Sequence, residues 1–273
     1  MINAFTDGNF NSDSSNSSSL SSLYPIKELK EPTVNEYNTL AILYKNQQLP
    51  KKVIECYEKA LSLRIKTLGI MDSKTAVAYK KLAEAHFDDK SIDKATLFYE
   101  KSLSITSEIF GKESLESAFL FSGLGNIHFS EGNLDKALQY YLKALETRKK
   151  FLGNLHPLTA KSYHELAYFY AAAEEYSLAL PLFEKALETR IELFRKSHPD
   201  TAISYNSLAI CHYHLFNYNQ AYTYLREAIR IKELIFPKND ITLLVCKENL
   251  SEIEKFVSFG KVDTLFKRIK KFF

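Results

Sequence analysis

The chain has 273 residues, with 36 Lys plus Arg against 33 Asp plus Glu and a formal net charge of +3. So mild a positive excess gives no global signal for nucleic acid, and 8 Gly with 7 Pro against 45% hydrophobic residues favours helices over strands. Cys56, Cys211 and Cys246 are odd in number, far apart in sequence and lack a CxxC pair, so a disulfide framework is not expected and a reducing, cytoplasmic compartment is. No apolar run reaches membrane-span length and no basic-then-apolar leader opens the chain, so neither a transmembrane helix nor a secretory signal is expected.

Residues 1–30 come first, with eight serines between Ser12 and Ser22. Such a segment buries too little apolar surface to offset its chain entropy, and it reads as a disordered lead-in. From about residue 31 the chain repeats. Leu40, Leu82, Leu124, Leu166, Leu208 and Leu250 stand 42 residues apart, each followed by a small residue: Ala41, Ala83, Gly125, Ala167, Ala209 and Ser251. Tyr37, Tyr79, Phe121, Tyr163 and Tyr205 precede the leucines by one helical turn, and Tyr44, His86, His128, Tyr170 and His212 follow by another. This i, i+3, i+7 spacing is one face of a first helix, A. Ala95, Ala137, Ala179 and Ala221, the aromatics Tyr57, Tyr99, Tyr141 and Phe183, and then Ala60, Ala144, Ala186 and Ala228 form one face of a second helix, B. Small residues let the two backbones approach closely while aromatics fill the gaps between turns. Gly69, Gly111 and Gly153 suit the left-handed position that ends helix B, and His156-Pro157 and His198-Pro199 restart helix A with Pro in its first turn. The expected repeats run at about 34–67, 76–109, 118–151, 160–193 and 202–235, with a degenerate helix at 244–257 and a basic amphipathic cap helix at 258–273.

These residues resemble the tetratricopeptide repeat (TPR), a helical hairpin. The 42-residue period resembles the longer version found in kinesin light chains and nephrocystin-type arrays. The match is closest from His156-Pro157-Leu158-Thr159-Ala160 through Glu184-Lys185-Ala186-Leu187-Glu188-Thr189-Arg190, and again from His198-Pro199-Asp200-Thr201-Ala202. The resemblance covers about residues 31–257 and implies an all-α fold, a right-handed α-solenoid of TPR hairpins. No counterpart of the kinesin light chain's N-terminal coiled coil is seen, and the groove asparagines of that family are present only in part, at Asn38, Asn126 and Asn206. Kinesin binding and cargo identity are therefore not carried over.

In such a solenoid, helix A lines a concave wall. The side chains expected there are Asn38 in the first repeat; Lys80, Lys81 and Glu84, with Asp88, in the second; and Asn126 and Phe129, with Ser122, in the third. The fourth offers Lys161, His164 and Tyr168, with Glu165, and the fifth offers Asn206, Tyr213 and His214, with Ile210. Amides can bind a peptide backbone and Lys80 or Lys161 a carboxylate. The function expected is a non-catalytic scaffold or adaptor for a protein or peptide, without cofactor; the alternative is a regulatory sensor that binds a small signalling peptide and changes superhelical pitch. The clamp that grips a chaperone's acidic C-terminal tail is not matched, since Asn38, Thr39 and Ile42 stand where its Lys and Asn belong.

Cys211-His212-Tyr213-His214 invites a metal reading, but His212 occupies the slot filled by an aromatic in other repeats, so no metal site is expected. No catalytic triad or phosphate-binding loop is signalled, and the chain reads as no enzyme. Gly123 and Gly125 inside one helix suggest close packing or a wide groove. The segment 261–273 alternates Lys261, Lys267, Arg268, Lys270 and Lys271 with Val262, Leu265, Phe266, Ile269, Phe272 and Phe273. It suits a cap on the last hairpin, a docking helix, or the one candidate for a membrane contact.

Overall fold

The structure, a computed structural model, describes residues 32–195 and 197–269, with side chains up to residue 257. The serine-rich lead-in expected over 1–30 and the final residues 270–273 lie outside the described residues. Every described element is an α-helix. Hairpins are formed by α1 (Val34–Asn46) with α2 (Pro50–Leu68), α3 (Ser73–Asp88) with α4 (Ile92–Phe110), and α5 (Leu115–Ser130) with α6 (Leu134–Leu152). Two more are formed by α7 (Pro157–Ala172) with α8 (Tyr176–Phe194) and by α9 (Pro199–His214) with α10 (Tyr218–Ile235). A single helix, α11 (Ile241–Ile269), follows. It runs without a break through residues 257 and 258, where the sequence suggested a change from degenerate repeat to separate cap. No described helix is long and apolar enough to cross a membrane.

The chain divides into two compact units, split inside α6 at Thr147 and Arg148. In the unit ending at Thr147, the core is built from the residues in 42-residue phase: Ala41, Ala83, Leu82, Leu124, Ala95, Tyr99, Ala137 and Tyr141 are all buried. In the unit beginning at Arg148, Leu166, Ala167, Ala179, Phe183, Leu208, Ala209, Ala221 and Leu225 do the same. Burying one such leucine contributes about 1.5–3 kcal/mol.

The helix starts follow from side-chain caps. Thr33 and Glu36 form a capping box, Asp72 accepts from the Lys74 amide, and Ser114 accepts from the Ser117 amide. The two His-Pro pairs act likewise: His156 Nδ1 accepts from the Leu158 N–H and His198 Nδ1 from the Asp200 N–H, each at 3.1 Å. Helix B ends on a positive φ, at Gly69 (84°), Gly111 (89°) and Gly153 (77°). After α8 the same place is held by Arg195, at φ 68° and ψ 175°. A side chain is strained there, because this region is essentially open to glycine alone.

The glycines of α5 serve close approach. A Cβ at Gly123 would fall on the ring of Tyr99, and one at Gly125 would stand 2.9 Å from the ring of Tyr141. Of the histidines in the aromatic slot, His86 and His212 are buried as expected and His128 is half-buried. His86 stacks on Phe98 at 5.4 Å, His128 on Tyr140 at 5.5 Å and His212 on Tyr224 at 5.3 Å.

Candidate functional site

The 42-residue register contains a second pattern on helix B, at 64, 106, 148, 190 and 232: Arg64, Thr106, Arg148, Arg190 and Lys232. Fourteen residues on, in the next helix A, stand Ala78, Leu120, Ser162, Ser204 and Cys246. In the unit beginning at Arg148 these two sets meet inside the fold. Arg148 is 1% exposed and donates through Nη1 to Ser162 Oγ, with Glu165 Oε2 at 3.3 Å. Arg190 is 6% exposed and donates to Ser204 Oγ at 2.6 Å and to the Asp200 carbonyl at 3.1 Å. Lys232 donates to the Thr242 carbonyl at 3.3 Å and faces Cys246. Each cation is buried because it finds acceptors there.

In the other unit the pattern is broken. Thr106 is too short to span the gap, and Leu120 and Ala78 offer no acceptor. A cavity of about 490 Å³ opens at this place, lined by residues that include Arg64, Ala78, Thr106 and Leu120. Among its lining residues Ala60, Ala76, Ala78, Ser102, Thr106 and Leu120 are buried, while the half-exposed Val77 and Phe110 lie at its rim with Arg64, Lys74, Lys80 and Lys81 against Glu116. Val77 and Phe110 are each about half exposed, so apolar surface is on offer to a ligand.

The rim cations are positioned by specific contacts. Lys81 Nζ donates to Asn38 Oδ1 at 3.1 Å and lies over the Tyr57 ring at 5.9 Å. Asn38 in turn donates to the Val34 carbonyl at 2.8 Å. Burial, with Lys80 and Arg64 nearby, pulls the Lys81 ammonium below its ordinary pKa, against the opposing pull of Glu84. An anion brought to this rim relieves that penalty. Lys80 Nζ lies 5.6 Å from the Phe119 ring centroid and pairs with Glu84 at 3.1 Å.

Of the residues expected on the helix A wall, Asn38, Lys80 and Lys81 line this one cavity. Glu84 borders it through Lys80. Asn126 and Phe129 stand further along α5, and Asn126 accepts from the Tyr141 hydroxyl at 2.8 Å. In the unit beginning at Arg148 the expected residues are more dispersed. Lys161 is exposed and 3.7 Å from Glu165, and Tyr168 is half-buried. Asn206 accepts from the Cys246 thiol at 3.4 Å. Tyr213 meets Phe256 edge-on at 6.0 Å, and His214 stacks on Tyr176 at 4.3 Å.

His164 corrects the expectation. It is buried, with Nε2 3.1 Å from Ser207 Oγ and its ring at the edge of Phe183, so it faces the neighbouring helix rather than solvent. Burial, assisted by Arg190 and Lys161, holds its pKa well below the ordinary imidazole value. Ser122 and Ile210 are likewise buried, at 6% and 5% exposure. The physical reason is shared: positions 164 and 207 meet across adjacent A helices, as 38 and 81 do, and only a long cation such as Lys81 reaches back to the surface. Cys211, His212 and His214 go to separate neighbours, and burial pushes the Cys211 thiol up to about 12.

Comparison with known proteins places this architecture. Family models described as tetratricopeptide repeat match residues 37–64, 116–190 and 158–233. The chain is a tetratricopeptide-repeat protein. Its fold is shared with structures described as kinesin-light-chain repeats. It is similar to the crystal structure of BtubC (BKLC) from P. vanneervenii, at 25% identity and TM-score 0.65, over 76% of this chain and 83% of that one. It is also similar in fold to a putative kinesin light chain from Podosopora anserina, with nearly identical TPR-like repeats, at 20% identity and TM-score 0.61 over 75% and 97% of the two chains. Aspartyl phosphate phosphatase F from Bacillus subtilis shares the fold at 15% identity and TM-score 0.65, over 88% and 62%. No curated protein matches the chain in sequence.

The sequence reading missed Arg64, Lys74, Val77, Thr106 and Phe119. The signal for the cavity was present in the same register, as the interruption of a buried cation at Thr106 and of its partner at Leu120.

Proposed function

We propose that this TPR protein is a non-catalytic scaffold that captures an extended acidic segment of a partner protein, with one apolar side chain seated in the cavity between α1 and α5. A single observation carries the reading: the cavity's lining joins apolar surface, Val77, Phe110 and Phe119, to four cations, Arg64, Lys74, Lys80 and Lys81, against one acid, Glu116. Preformed, it orders little on binding, so most of the contact energy is kept for affinity. Lys81 and Arg64 take the carboxylates and Asn38 a backbone group. In the unit beginning at Arg148, Lys161, Tyr168, Asn206, Tyr213 and His214 offer a separate set of polar and aromatic contacts to a partner. TPR repeats generally lack catalysis and serve protein–protein interaction, which supports a scaffold over an enzyme. Three buried free thiols fit a cytoplasmic protein.

The test is fluorescence anisotropy with labelled synthetic peptides. A peptide of Glu and Asp around one central Leu should bind, and its affinity should fall with salt. Lys81→Ala with Arg64→Ala should weaken it at least about tenfold, equivalent to ~1.4 kcal/mol, with helicity unchanged. Equal binding of a Lys-rich counterpart, or full affinity in the double variant, sinks the proposal.

A further inference from the structure

The last helix pair departs from its equivalents in one respect. Where the others set a guanidinium against a hydroxyl, Arg148 with Ser162 and Arg190 with Ser204, the pair at 232 and 246 sets a primary amine against a thiol. Both members change together. Lys232 is 5% exposed and Cys246 is 2% exposed. Nζ lies 3.4 Å from Sγ, and the thiol donates to Asn206 Oδ1 at 3.4 Å. Arginine and serine in contact have no redox chemistry with each other. Lysine and cysteine do, because sulfur and an amine nitrogen can each be oxidised.

We propose that Lys232 and Cys246 form a peroxide-responsive modification site that closes to a covalent N–O–S bridge between α10 and α11. The stoichiometry balances with two molecules of hydrogen peroxide. Sulfur attacks one peroxide oxygen, the O–O bond breaks, water leaves, and a sulfenic acid is formed. The Lys232 ammonium releases a proton, and the free amine nitrogen then attacks one oxygen of the second peroxide; the O–O bond breaks, water leaves and a hydroxylamine is formed. The hydroxylamine oxygen then attacks the sulfenic sulfur; the S–O bond forms and a third water departs. Sulfur and nitrogen each lose two electrons, and each peroxide gains two. Reversal takes four thiol groups, two molecules of a dithiol: they go to two disulfides and supply four electrons and four protons, and the bridge reopens to amine, thiol and water.

The site is built for a slow response. Burial raises the Cys246 thiol pKa, against the pull of Lys232, so little of the reactive thiolate exists at neutral pH. Lys232 already lies 3.4 Å from the sulfur, so the hydroxylamine oxygen formed on it is delivered to the oxidised sulfur ahead of solvent. Bridging removes the Lys232 charge and the S–H that Asn206 accepts. It also ties the last hairpin to α11 across a short loop, which restricts the unfolded chain.

The experiment is peroxide titration of the full chain, read by intact and peptide mass spectrometry and by melting temperature. The expected product joins the peptides holding residues 232 and 246, with one oxygen gained and two hydrogens lost. It melts higher than the untreated chain and reverts with dithiothreitol. Lys232→Arg, which restores the cation found at 148 and 190, should keep the fold by circular dichroism and form no cross-link; Cys246→Ser should do the same. The proposal fails if Cys246 goes only to sulfinic or sulfonic acid, if it joins Cys211 in a disulfide, if the link lacks the oxygen, if Lys232→Arg still cross-links, or if peroxide that oxidises the methionines leaves residues 232 and 246 untouched.

Discussion

Arg148 and Thr106 occupy the same place in successive repeats, yet one fills its site and the other leaves it open. Around Arg148 and Arg190 a guanidinium reaches a serine and carboxylate or carbonyl oxygens, and the interface between hairpins is closed. Around Thr106 the cavity remains, with Leu120 where the serine would be. A repeat array can thus keep its backbone and its core and still differ, from one repeat to the next, in whether it leaves a cavity between hairpins. The difference lies in one long side chain and its acceptor. Conserving the fold is compatible with placing the site in only part of the chain.

The comparison is broken most severely at Arg148. Arg148→Ala should destabilise by about 3–5 kcal/mol, because it leaves a cavity and strips Glu165 and Ser162 of a buried partner. Thr106→Ala should cost under about 1 kcal/mol. Urea denaturation of both variants checks the contrast, and comparable losses would show that the two places are equivalent after all. The converse experiment transplants the closed state. Thr106→Arg with Leu120→Ser should fill the cavity and lower affinity for the acidic peptide by more than about tenfold, ~1.4 kcal/mol, while the chain remains folded. Retained binding would mean that the ligand sits elsewhere.

Acid sharpens the comparison next. Burial lowers the pKa of His86 in one unit and of both His164 and His212 in the other. Above about pH 6.5 these rings are neutral in the folded and unfolded chain alike and contribute nothing. As the pH falls through that value, the unfolded chain takes up protons that the folded chain refuses, and stability drops. Hydrogen exchange between pH 7 and pH 5 should therefore loosen residues 148–257 before residues 32–147. His212→Tyr, the residue at Tyr44 and Tyr170, should reduce that loosening; exchange that rises equally in both units would refute the assignment. The smallest effect is a gain. Arg195→Gly should raise stability by about 1 kcal/mol by relieving the positive φ, less the flexibility glycine adds to the unfolded chain. A melting temperature at or below that of the parent would show Arg195 to be unstrained.

Much of this architecture was legible in the residues. The 42-step leucines, alanines and aromatics are core positions, and their identities follow from the need for close helix approach. The His-Pro pairs foretold the starts of helix A, though not the capping by His Nδ1, and the glycines foretold the ends of helix B. The site was legible only in part. Asn38, Lys80 and Lys81, named because they flank the core leucine on helix A, do line the cavity. His164 was misplaced because a polar residue on that face was read as solvent-facing, whereas Ser207 and Phe183 supply it with a partner and a wall. Arg148 and Arg190 escaped notice because arginine is ordinarily a surface residue. Recognising them required pairing each with the residue 14 positions later, a contact between hairpins rather than within one.

Gly123 bears on the modularity of the molecule. The Tyr99 ring occupies the space in which any other residue would place its Cβ. The corresponding tyrosine one repeat earlier, Tyr57, instead lies beneath a lysine, Lys81. The second and third hairpins are thus fitted to each other as lock to ward. Exchanging either for a neighbour, or inserting a consensus hairpin between them, sets a side chain against that ring. Although written in units of one period, the chain has a fixed order of assembly, and any redesign that treats its hairpins as interchangeable beads must carry Tyr99 and Gly123 together.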